Sequence, residues 1–156
     1  MLTPTPKTLQ SVMTDPAVDT TLTMVADMVG LPMNTVVTMV EFGLPMMASV
    51  AHADPVVFKA MYARSVNYLP PPTQAFYTKL GKNATARQVL AADFKLMYGP
   101  MTETINRDVA SHASASEAQT SQVLAATMPA MVKALGRANT NVNEMGFGRQ
   151  LRNLNA

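Results

Sequence analysis

The sequence predicts an all-α fold of about seven or eight short helices, in two pseudo-repeated halves with approximate two-fold packing. Three observations lead there. Apolar residues recur at spacings of three and four, and the period-two alternation of a strand is missing. Nearly every Pro and Gly falls where a helix would begin or end. The chain also resembles itself when shifted by 84 positions, so that 12–53 falls on 96–137 without a gap. Met13 then meets Met97, Pro16 meets Pro100, Val25-Ala26 meets Val109-Ala110, Pro45 meets Pro129 and Met47 meets Met131. Such a repeat describes two related helical units packed together, and names no reaction.

The elements follow from the punctuation. Asp15-Pro16 sets a start, since Pro is tolerated at the first helical position. Leu22, Val25, Ala26 and Val29 share a face, and Gly30 can close that helix. Leu31-Pro32 opens the next, with Val36, Val37, Val40 and Leu44 as its stripe; Pro45 is expected to kink or break it. Asp54-Pro55 starts another. Pro70-Pro71-Pro72 is the clearest breaker and the boundary between halves. A short helix around Gln74–Leu80 ends at Gly81. Thr85-x-x-Gln88 and Ser116-x-x-Gln119 read as capping boxes, and Gly99-Pro100 ends one helix and begins the next. Pro129 should interrupt the last helix as Pro45 does the second. The divisions are an N-terminal arm (1–14), a first helical repeat (15–80), a second (81–138) and a C-terminal tail (139–156).

Composition narrows the class. Hydrophobic residues make up 48%, enough for a core, while only 14% are charged against a usual quarter or so. There are 14 Met residues, which fill irregular cores or line adaptable interfaces, and no Trp. Cys is absent, which excludes disulfides, a thiol nucleophile and zinc–thiolate sites. Met1 to Pro6 lacks a signal-peptide pattern, and the longest apolar stretch, Met24 to Ala53, is interrupted by Asp27, Asn34 and Glu41. A cytoplasmic protein without a membrane span is the expectation. Net charge is only +2 but unevenly spread. Residues 1–56 set Lys7 against Asp15, Asp19, Asp27, Glu41 and Asp54, or −4, which leaves +6 for the rest. Such polarity can steer association.

No constellation for catalysis stands out. His52-Ala-Asp54 offers two possible metal ligands where a site needs three or four, and His112 lies elsewhere. Ser111 and His112 are neighbours, which a helix points about 100° apart, and no nucleophile elbow is present. Glu103 and Asp108 are off-face on a helix, whereas Glu103 and Arg107 are spaced as an ion pair. Gly146-Phe147-Gly148 is no phosphate loop. Asn83-Ala84-Thr85 reads as a helix start. Ala26, Gly30 and Val36 are spaced as in a helix-turn-helix, yet the following helix carries no Lys or Arg for phosphate contacts.

The segment from Val25 through Gly30-Leu31-Pro32 and Val36 to Leu44-Pro45 resembles the bacterial YidB-like domain of unknown function. So does the second copy, in Ile105 to Ala110, Ser116 to Leu124 and Met128-Pro129 to Arg137. The resemblance covers some 80 residues over two tandem copies and implies an all-helical fold with no catalytic residues to carry over. The second copy departs at Ser114, where the first has Gly30, and Gly tolerates a left-handed cap far better than Ser.

The functional expectation is a non-enzymatic structural or interaction protein that self-associates through Met-rich helical surfaces and terminal arms. It needs no cofactor or metal, and its partner is itself or another protein rather than nucleic acid. The candidate interface residues are Met46, Met47, Met131, Phe147, Arg149 and Arg152. The alternative is a regulatory DNA-binding module in which Arg137, Arg149 and Arg152 supply phosphate contacts. A third class, a small-molecule or lipid carrier, would need an apolar cavity among the Met-rich helices.

Overall fold

A computed structural model describes Met13, residues 15–66, residues 74–137 and Gly148. The described residues are helical throughout apart from turns: α1 (Pro16–Val29), α2 (Met33–Ala53), α3 (Pro55–Val66), α4 (Gln74–Lys82), α5 (Ala84–Tyr98), α6 (Met101–Ala113) and α7 (Glu117–Arg137). The expected all-α class is the observed one.

Local chemistry accounts for the boundaries. The Asp15 carbonyl accepts from Asp19 N–H at 2.9 Å, so Pro16 enters α1 with no donor to waste. α1 closes when Gly30 turns to φ +72° and the N–H groups of Gly30 and Leu31 both reach the Ala26 carbonyl. α6 closes the same way. Ser114 takes φ +54° and ψ +45°, and Ser114 and Ala115 both donate to the Ala110 carbonyl. A serine therefore holds at position 114 the left-handed cap that glycine holds at position 30, at the steric cost of its Cβ. Ser116 Oγ accepts from Gln119 N–H at 3.1 Å, as the capping box requires. The other expected box is displaced: Asn83, not Thr85, caps α5, its Oδ1 accepting from Ala86 N–H at 3.0 Å. Asn ranks at least as high as Thr as a cap and stands first in the chain. The Arg87 guanidinium donates to the Leu80 and Gly81 carbonyls, tying the C-terminal end of α4 to α5.

Neither interior proline ends its helix. α2 runs through Pro45 and α7 through Pro129. A mid-helix Pro costs about 3 kcal/mol. The helix beyond Pro45 buries Met47, Ala48 and Ala51, and the turn before it buries Met39, Val40 and Leu44. At about 1.5–3 kcal/mol for each large side chain, burial outweighs the lost bond.

The helices share one core, and α7 is its centre, packed against α1, α2, α3, α5 and α6. Residues 123–128 and 130–132 are all buried, so this middle stretch of the helix is covered on every side. Its buried hydroxyls are satisfied by the helix itself. Thr127 Oγ1 donates to the Val123 carbonyl at 2.7 Å and Thr120 Oγ1 to the Ser116 carbonyl at 2.8 Å. α2 meets α7 at Gly43, where a Cβ would lie 3.0 Å from Leu124 Cδ2 and 3.4 Å from Val109 Cγ2 on α6.

Under the 84-residue shift the bounds of α2 fall on those of α7, 33 onto 117 and 53 onto 137. The buried positions follow: Val36 and Thr120, Met39 and Val123, Val40 and Leu124, Leu44 and Met128, Met47 and Met131. α1 packs on α7, and its counterpart α6 packs on α2.

The two caps predict opposite responses. Ser114→Gly should raise stability by about 0.5–1 kcal/mol, because it relieves a left-handed Cβ. Gly30→Ala should lower it by about 1 kcal/mol. Thermal unfolding followed by circular dichroism decides, and equal shifts of the same sign would contradict the paired turns.

Candidate functional site

The titratable candidates are held apart. His52 is exposed in the last turn of α2, and Asp54 begins α3 by accepting from Val56 N–H through Oδ1 at 2.9 Å. That carboxylate is a helix cap. His112, in the last turn of α6, stacks on Phe42 of α2 with ring centroids 4.1 Å apart and planes 11° apart. The stack joins α6 to α2. Arg107 pairs with its neighbour Asp108 at 3.4 Å rather than with Glu103 one turn before. Both partners are well exposed, so the pair contributes little. Among the described residues no three of His, Asp and Glu converge.

The interface candidates divide. Met47 and Met131 are 0% exposed and belong to the core, at equivalent positions of α2 and α7. Met46 is half-buried against that core. Phe147, Arg149 and Arg152 lie outside the described residues. Met39, Met61, Met97 and Met128 are also buried, so these methionines serve as adaptable filling. The helix pair α1–α2 faces water with Asp19, Asp27, Asn34 and Glu41, and neither helix contains Lys or Arg.

α2 is long and apolar enough to cross a membrane by length and composition. Here its stripe from Val36 to Ala51 lies in the core.

Two features were missed by sequence reasoning. Val89 is 63% exposed and Leu96 80% exposed on α5, with Ala92 exposed between them. α5 has two apolar faces. Phe94, Met97 and Tyr98 take the core, and Val89, Ala92 and Leu96 point outward. Splitting the apolar residues by angle, rather than counting them, would have separated the two. The second feature is polar. Thr102 Oγ1 and Asn106 Oδ1, one turn apart on α6, are buried without a hydrogen-bond partner. Their counterparts in the first half are the core residues Val18 and Leu22.

A buried unpaired hydroxyl costs stability, and Val matches Thr in shape. Thr102→Val should therefore stabilise the chain by about 1–2 kcal/mol in chemical denaturation. A loss of stability would mean that the hydroxyl is satisfied in solution.

No family model, curated protein or solved structure matches this chain.

Proposed function

We propose that this chain is a non-enzymatic structural or interaction protein that self-associates, built from two pseudo-repeated helical halves packed about an approximate two-fold axis. The observation that carries the reading is the outward apolar face of α5, where Leu96 is 80% and Val89 63% exposed. Val56, 75% exposed at the start of α3, adds a further uncovered side chain. Exposed large aliphatics in a stripe mark an interaction surface more often than isolated ones do. The low charge content supports the same reading, since few charges need to be desolvated when copies meet.

The two-fold arrangement is supported by the reciprocity of the packing. α1 lies on α7 and α6 on α2, while α2 and α7 meet each other. The corresponding turns at Gly30 and Ser114 carry the same bonds. Two tandem copies of a YidB-like helical unit fit that arrangement, and the protein acts as a cytoplasmic assembly component. Its surfaces differ from those expected from composition, because Met47 and Met131 are committed to the core and aliphatic residues face outward instead.

Light scattering of the purified chain at low and high salt tests the reading. The expected result is a defined species well above the 16.8 kDa of one chain at micromolar concentration. A 16.8 kDa particle at every concentration and salt would refute self-association.

A further inference from the structure

We infer that the outer face of α5 binds the acidic face of α1 on a second copy of the chain, and that the contact is made twice in a two-fold dimer. The inference rests on the self-association reading and names its surface and its occupant. α5 presents Val89, Ala92 and Leu96 at spacings of three and four, one continuous stripe along the helix. Lys95 stands exposed beside Leu96, and Lys79 and Lys82 are exposed on the adjoining α4. Arg87 is already engaged on the α4 carbonyls. Asp93, half-buried on the same face, is engaged in an interaction of its own, and with Lys79, Lys82 and Lys95 exposed the setting is net basic and calls for an acidic, partly apolar counterpart.

α1 has that character. Asp19 and Asp27 are exposed two turns apart, and α1 contains no Lys or Arg. Between them Thr20 and Thr23 are exposed, but their hydroxyls are not free. Thr20 Oγ1 donates to the Pro16 carbonyl at 2.9 Å and Thr23 Oγ1 to the Asp19 carbonyl at 3.1 Å. With the hydroxyls bonded to their own helix, these threonines can be covered without stranding a polar group. Half-buried Met24 completes the face. Val89 and Leu96 can thus lie against threonine and Met24, while Lys95 meets a carboxylate.

The arrangement of the helices sets the symmetry. α4 packs on both α1 and α5, with Met28 of α1 close against Gly81. The acidic and basic faces therefore flank the same short helix. Opposite-sign faces that neighbour each other on one molecule are compatible with a two-fold operation, which would bring each onto the other's complement and close the assembly.

Sedimentation of the full-length chain tests this with Leu96→Ser, Lys95→Glu and the double variant Lys95→Glu/Asp27→Lys, each checked for helix content. All three changes fall on exposed positions, so folding should be retained. Leu96→Ser and Lys95→Glu are each expected to raise the dimer dissociation constant by about tenfold or more, and the double variant to recover most of that loss. Wild-type self-association that ignores both single changes overturns the assigned surface and leaves self-association standing. Failure of the double variant to recover overturns the α1–α5 pairing. A wild-type monomer overturns both readings. A monomer that binds anionic lipid vesicles through Leu96 overturns this inference in favour of a lipid surface.

Discussion

Everything else in the molecule is arranged around the burial of α7. A stretch of helix covered on all sides needs neighbours on all sides, and α1, α2, α3, α5 and α6 supply them. Its sequence suits the position: Ala125, Ala126 and Ala130 let neighbouring helices approach, while Leu124, Met128 and Met131 fill the spaces between. Gly43 is the counterpart on α2. Its missing side chain leaves room for Leu124, on which a methyl there would press at 3.0 Å, while Val109 would be met at ordinary contact distance. Gly43 thus lets α2 approach α7 closely, and the polar groups in the buried stretch of α7 must be satisfied within the protein. Thr120 and Thr127 meet that condition by donating to the carbonyls of Ser116 and Val123, four residues before each.

The same physics explains what could be seen in the chain beforehand. Helix boundaries were legible because local bonds fix them: Asp15-Pro16, Gly30, Asp54-Pro55, Gly99-Pro100 and Ser116 each act within one turn. Pro45 and Pro129 end no helix, because whether a proline breaks one is decided elsewhere. A proline's local cost is set against burial by helices distant in sequence, and no window around residue 45 contains that information. The cap at Asn83 was displaced for a smaller reason, since two good capping residues stood two positions apart and the earlier one took the role.

The surface was less legible than the core. Six buried methionines and the double face of α5 both arise from the same ambiguity, because an apolar residue at helical spacing can point inward or outward. Only the position of α5 relative to α4, α6 and α7 separates Phe94 from Leu96. The stack of Phe42 on His112 was likewise invisible, as it joins residues from different halves whose nearness is set by how α2 lies on α6. Chemistry that depends on three or more groups meeting in space would have been equally hard to foresee. His52 and Asp54 stand at the α2–α3 junction, and Ser111 and His112 in the last turn of α6.

The crossed pairing of the helices also bears on how the chain is made. α1 and α2 touch each other early, but their main packing partners, α7 for α1 and α6 for α2, come late in the sequence. A nascent chain that has reached Val66 holds α1, α2 and α3 with no α7 to cover them. Contacts of such sequence separation slow folding because a long loop must close before they form. During synthesis at roughly 5–20 residues per second, the stripe of α2 would stay uncovered for several seconds. That interval is when a ribosome-associated chaperone would have the most to hold.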